Sequence, residues 1–226
     1  QRERALAGGY AVVDQTSAIA THLAEIIKRY AFELLTRQET KRLLDSLAET
    51  HPKLTEELVP KVLSLGEVHR VLQQLLREQV SIRDLPTILE ALLDASVAGK
   101  NPVMLVEATR QALARALVQP LLNEEGKLTV VTMDPQLEEQ IHQVFETQGL
   151  QGRASAAQAS HLRRVVDGLR GFMGEQVALA CPALVCNSPA RFHLRRLLEP
   201  FLPKLVVLSP AEIPNSVTVQ SMGVVH

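Results

Sequence analysis

Histidine and cysteine are the side chains here most able to support acid–base, nucleophilic or metal chemistry. The seven histidines are His22, His51, His69, His142, His161, His193 and His226. None stands four residues from another, the spacing that would put two ligands on one helix face. A catalytic histidine also needs a positioned partner, and no such pairing is visible. His69 lies beside an apolar stripe and is expected at the edge of a core. Cys181 and Cys186 form a lone C-x4-C around Pro182. Without a second ligand pair this is a poor zinc site, so Cys186 is expected as a buried strand thiol. No GxGxxG, P-loop, HExxH or GxSxG occurs. These residues therefore offer no candidate catalytic residue, metal site or cofactor site.

The charged residues offer more. Arg191, Arg195 and Arg196 share one helix after Asn187-Ser188-Pro189. Such a cluster near a helix start suits an anion or an acidic partner, and Arg191 and Arg195 are candidate partner-binding residues. The competing reading is a solvated face balanced by Glu199. Arg163 and Arg164 would widen the patch if their helix lay alongside. Arg83-Asp84 sits in a short elbow between two helices. Asp84 is placed to cap the second helix, leaving Arg83 to reach a carboxylate. That carboxylate belongs either to a neighbouring subunit or to another helix of the same chain. At the ends of the expected strands, Asp134, Asn187, Ser188 and Ser209 form a generic polar set that does not by itself license a reaction.

These residues must be held by a core, and the composition supplies one. Hydrophobic residues make up 46% of the 226 positions, but aromatics only 3%, so Leu, Val, Ile and Ala must do the packing. Lys and Arg (24) nearly balance Asp and Glu (25), which gives no net field favouring nucleic acid or anionic lipid. No run approaches the ~20 apolar residues of a membrane helix, and no signal peptide pattern is present. Two cysteines fit a reducing compartment. The chain opens on Gln1, which suggests a piece of a longer protein.

Periodicity places the elements. Residues 10–13 read as a strand after Gly8-Gly9. A long helix follows, with Ile19, Leu23, Ile26, Ile27, Tyr30, Leu34 and Leu35 at helical spacing and Asp14, Thr16 or Ser17 as cap. Thr36 and Glu39 read as a capping box, and His51-Pro52 as the stop of that helix. A short helix is expected near residues 55–59. In residues 65–94, Leu65, Val68, Val71, Leu72, Leu75 and Leu76 form one apolar face. Gln73, Gln74, Arg77 and Glu78 form the polar one. Residues 79–84 make the elbow, and Pro86 opens a second helix carrying Ile88, Leu89, Leu92 and Leu93. Gly99-Lys100-Asn101-Pro102 reads as a boundary. After it, helices over 102–118, 135–146, 156–173 and 190–198 alternate with strands over 128–133, 183–186, 205–208 and 217–220. The expected fold class is α+β or α/β, an all-helical subdomain followed by a small α/β domain with a mixed sheet.

Residues 65–90 read L-G-x-V-x-x-V-L-x-x-L-L-x-E-x-V-S-I-R-D-L-x-T-I-L-E, ungapped. With G-Y-x-V-V-D and A-T-H-L near the start, R-F-H-L-R-R-L-L-E-P-F-L-P at 191–203 and V-L-S-P-A-E-I-P at 207–214, this resembles the cytoplasmic part of the type III secretion export-gate family. The nearest branch is the flagellar one, FlhA. The resemblance covers nearly the whole chain, most strongly residues 9–94 and 183–226. It implies residues 1–34 as the tail of preceding cytoplasmic domains, 35–101 as a helical domain and 102–226 as the C-terminal α/β domain. It implies a nonameric homo-oligomeric ring at the cytoplasmic face of the bacterial inner membrane, attached only through a preceding membrane region. It also implies export substrates, their chaperones and other export-apparatus proteins as partners. Thr21, on the A-T-H-L helix, is the one candidate here for the chaperone-facing pocket. Arg83 and Asp84 are candidates for the subunit interface.

Three functional classes follow: an assembly and docking module, a nucleic-acid-binding regulator using the 65–94 helix pair, and an enzyme on the α/β half. Glu90 and Asp94 on the second helix of the pair weigh against phosphate contact. The resemblance implies the first class, a non-enzymatic module, with no nucleic acid among the partners.

Overall fold

The computed structural model describes residues 14–148, 156–173, 182–188 and 190–225. The expected strand at 10–13 and Cys181 lie outside them. Helix α1 (Gln15–Leu34) is capped by Asp14, whose carboxylate accepts from the Ser17 amide at 2.9 Å. It is amphipathic, yet none of its residues is buried. Helix α2 (Arg37–Ala48) starts at Thr36, whose hydroxyl accepts from the Glu39 amide. Glu39 pairs forward with Arg42 instead, so only half of the expected capping box forms. A complete box forms at Ser64–Glu67, at the start of α4 (Leu65–Arg77), and another at Ser209–Glu212. Pro52 does not stop α2, which already ends at Ala48. It opens α3 (Pro52–Leu58), because a first-turn proline loses no helical hydrogen bond. Helix α5 (Leu85–Ala98) completes the central pair.

The expected helix over 102–118 is two helices, α6 (Pro102–Ala112) and α7 (Ala114–Val118). Leu113 between them leaves helical geometry at φ −87°, ψ 10°. Leu113 belongs to the helical core and Val118 to a core beneath the sheet, so the break carries the chain from one to the other. The helical core gathers Leu44, Leu58, Val68, Leu72, Leu75, Ile88, Leu89 and Leu92. Each such side chain contributes about 1.5–3 kcal/mol of burial. Leu105 and Val106 of α6 and Phe192 also lie in it. The turn at Gly99 therefore redirects the chain without separating one core from the next.

The sheet has the order β3-β2-β1-β4, from β1 (Lys127–Met133), β2 (Ala183–Val185), β3 (Val207–Leu208) and β4 (Thr218–Val225). All three ladders are parallel, where a mixed sheet was expected. The only antiparallel pairing among the described residues is an isolated bridge between Leu122 and Leu128. Helices α8 (Pro135–Gln148), α9 (Ala156–Met173) and α10 (Ala190–Leu198) accompany the strands. They pack Leu137, Ile141, Val165, Leu169, Leu194 and Leu198 against Val131, Leu184 and Val207. Strand β3 is shorter than expected. Strand β4 is longer, because a register shift beside Val130 and Val131 absorbs one residue and pairing continues to Val225.

That extension depends on glycine. Gly223 has φ +154°, and a Cβ there would lie 2.5 Å from Phe172 Cε1 of α9. Gly168 of α9 faces Val225 with the same lack of space, 2.8 Å from a built Cβ to Cγ1. Gly223→Ala is expected to destabilise the fold by ~1–3 kcal/mol. The check is a lower urea midpoint with an unchanged m-value.

Candidate functional site

Three regions carry the candidate residues: the outer face of α1, the elbow after α4, and the arginines of α10. The C-terminal end of α1 is held firmly. Gln73 Nε2 donates to the carbonyls of Phe32 (3.1 Å) and Leu35 (3.4 Å), and the Arg77 guanidinium lies over the Phe32 ring. Along its length α1 presents Ile19, Leu23, Ile26, Ile27, Tyr30 and Leu34, each between 41% and 68% exposed. Thr21 is exposed among them. These side chains leave the helix with an exposed apolar stripe.

The elbow is built from the end of α4. The Val80 amide donates to the Leu75 carbonyl at 2.8 Å and the Gln79 amide to the Leu76 carbonyl at 2.9 Å. This is the Schellman closure, with Val80 and Leu75 both buried as its apolar contact. The closure needs a left-handed residue, and Gln79 takes that place at φ 60°. Glycine is the usual occupant, since a left-handed L-residue costs about 1–2 kcal/mol. Asp84 then caps α5 by accepting from the Thr87 amide at 3.3 Å. Arg83 is exposed, and its side chain makes no ion pair among the described residues. The alternative of an internal bridge between helices is not what this geometry contains.

The arginines of α10 correct the sequence reading. Arg191 and Arg195 present neither an anion patch nor a solvated face, because both are buried; only Arg196 is exposed. Arg191 Nη1 donates to Glu78 Oε2 at 2.6 Å, and its Nε donates to Glu107 Oε1 and Oε2 at 2.8 and 3.0 Å. A third bond joins Arg191 Nη2 to Glu107. Arg110 enters from α6. Its Nη1 donates to the same Glu78 oxygen at 3.0 Å, its Nε and Nη2 to Glu212 at 2.6 and 3.1 Å, and Nη2 also to the Val207 carbonyl. Arg195 Nη2 donates to the Pro203 carbonyl, while its Nη1 is buried without a partner. A guanidinium at residue 191 thus faces carboxylates from α4 and α6 instead of water.

Glu78 is the residue most misplaced by periodicity. Expected on a polar outer face, its side chain is only 4% exposed. Burial pushes its carboxyl pKa up, but Arg191 and Arg110 outweigh that and hold it below the ordinary 4.5. Burial, with the nearby charges of Arg110 and Arg191, lowers Arg195 against the opposing pull of Glu78 and Glu199. Glu107, Arg110 and Glu212 were not singled out from sequence. The available signal was that α6 (PVMLVEATRQA) has no wide polar face, so its charges must point inward.

Of the remaining polar candidates, Asp134, Asn187 and Ser209 take part in local hydrogen bonds, while Ser188 is exposed. Asp134 Oδ1 accepts from the Gln136 and Leu137 amides at the start of α8. The Asn187 amide donates to the Glu138 carboxylate, and the Ser209 amide to Glu212. His69 is 8% exposed, with Nδ1 2.9 Å from Thr40 Oγ1, and burial lowers its pKa. Cys186 is buried as expected, and burial pushes its thiol up, away from reactivity. Among the described residues no three His, Cys, Asp or Glu side chains converge as metal ligands. No described helix is long and apolar enough to cross a membrane. Glu90 and Asp94 are exposed on α5, which gives that helix a negative outer face.

A sequence model described as the FHIPEP family matches residues 1–218. The flagellar biosynthesis protein FlhA of Bacillus subtilis (strain 168) is 40% identical over 219 residues, covering 96% of this chain and 32% of the relative. This chain thus spans about a third of the length of the curated relatives it matches. The nonameric EPEC SctV-C, solved by cryo-EM, superimposes with a TM-score of 0.79 at 26% identity, over 92% of this chain and 62% of that one. The CdsV chain in the Chlamydia pneumoniae complex of CdsV and CdsO has the same fold. Its TM-score is 0.86 at 22% identity, over 99% of this chain and 66% of that one.

Removing one partner of a buried ion cluster strands the others. Arg191→Met is expected to cost about 3–5 kcal/mol, and exposed Arg196→Met under ~0.5 kcal/mol, both measured by urea unfolding. The depressed Glu78 carboxyl sets a pH dependence. Its folded pKa lies below the unfolded value, so its contribution is complete above about 4.5 and is lost as pH falls through the folded pKa. Unfolding midpoints recorded from pH 6 down to about pH 3 should fall in the wild type and flatten in Glu78→Gln.

Proposed function

The chain belongs to the FHIPEP family, and on that premise we propose that it is a non-enzymatic ring and docking module of a type III protein export gate of the flagellar branch. The observation that carries this reading is the family match across nearly the whole chain. The exposed faces say how such a module would act. In this reading the apolar stripe of α1 is covered by the part of the longer protein that precedes it. Thr21 then stands at the margin where chaperones with their export substrates dock. Other export-apparatus proteins bind the assembled ring, which sits at the cytoplasmic face of the bacterial inner membrane and is anchored through the preceding region.

The elbow is the proposed seam between neighbouring subunits. A ring needs a head-to-tail contact between two different patches of the same chain. Arg83 offers one of them: exposed, without an ion partner among the described residues, and fixed on a joint capped on both sides. An exposed ion pair contributes at most about 1 kcal/mol. Self-association of the soluble piece is therefore weak, and tethering in a membrane raises the effective concentration. A nucleic-acid-binding role is disfavoured by the exposed Glu90 and Asp94 on the second helix of the pair.

Arg83→Glu is the test. Its melting temperature should stay near that of the wild type, because a surface change moves stability by under ~0.5 kcal/mol. Ring assembly and protein export by the full-length protein should both fall. Normal assembly with a normal melting temperature would remove the elbow from the seam.

A further inference from the structure

We propose that Glu78 is the positioning residue of the exposed elbow, fixing how residues 79–84 present Arg83. Three elements converge on its one buried carboxylate. Oε2 accepts from Arg110 of α6 (3.0 Å) and from Arg191 of α10 (2.6 Å), and Oε1 accepts from Gln74 Nε2 of its own helix (2.8 Å). Glu78 is also the last residue before the elbow, and its amide closes the final turn of α4 on Gln74.

The next residue is the strained one. Gln79 is the only non-glycine with positive φ among the described residues. A side chain in that region persists only when its surroundings over-determine it. Here the surroundings are the two Schellman hydrogen bonds on one side and the anchored Glu78 on the other. Beyond them Gln79, Ser81, Arg83 and Asp84 are exposed, with Val80 and Leu85 buried as the two pins of the elbow. If the carboxylate charge is lost, both guanidinium contacts weaken and the root of the elbow is released where the backbone is least relaxed. Glu107 supplies the contrast. It belongs to the same ion cluster through Arg191 but lies in the middle of α6, with no covalent continuity to the elbow.

The experiment compares Glu78→Gln with Glu107→Gln by hydrogen exchange and urea unfolding of the whole chain. Both variants should lower the unfolding midpoint. Only Glu78→Gln should speed exchange of the Gln79 and Val80 amides, by about tenfold or more beyond its global effect. Glu78→Asp keeps the charge on a shorter arm and should fall between wild type and Glu78→Gln, a comparison that holds if the latter folds poorly. Equal exchange at these amides in Glu78→Gln and Glu107→Gln, or unchanged exchange in Glu78→Gln, would overturn the proposal. Self-association by sedimentation separates this from the seam reading on which its functional meaning rests. Faster elbow exchange with unaltered association supports the positioning role and counts against the seam. Faster exchange with weakened association supports both.

Discussion

The structure depends on a cluster of charges held away from water. Two guanidinium groups, Arg110 and Arg191, and three carboxylates, Glu78, Glu107 and Glu212, share one buried site. They come from α4, α6, α10 and the turn after β3, so every layer of the chain contributes to it. Desolvating five charges is expensive, and their mutual attraction offsets that cost only with good geometry and complete hydrogen bonding. Here the geometry is largely met, with both arginines bidentate to a carboxylate. The gain is direction. Apolar surfaces tolerate sliding, whereas paired forks admit one arrangement.

This explains how the helices and the sheet keep a fixed relation although their apolar cores are distinct. The helical core reaches across through α6, Leu113 and Phe192. The sheet packs its own leucines and valines on its two faces. Between these cores stand the charges and the Arg77–Glu199 bridge from α4 to the end of α10. Any binding surface carried on this scaffold gains from such stiffness. Binding pays no reorganisation of the scaffold when the exposed faces are already held in place.

Those exposed faces are of two kinds. The α1 stripe is broad and apolar, suited to a large permanent contact. The elbow is small and charged, suited to a weak one. The two differ in support as well: Gln73 holds the C-terminal end of α1, while the elbow is pinned at both ends by capping and burial.

Periodicity and capping residues determined most of the elements. The stripes of α4 and α5, the caps at Asp14, Thr36 and Asp84, and the strand at 127–133 follow from local chemistry that neighbours reinforce. The long ungapped stretch at 65–90 and the two later motifs determined the family. Local chemistry could not determine which charges are buried. Glu78 and Arg191 occupy positions that a helical wheel places among solvent-facing residues. They turn inward because oppositely charged residues more than eighty positions away arrive to meet them. The same holds for the length of β4, where a register shift and a glycine beside Phe172 carry pairing past an apparent end. It holds again for the break at Leu113, set by two cores and not by any breaker. A charge is read as exposed unless its partner is known, and only the tertiary structure supplies the partner.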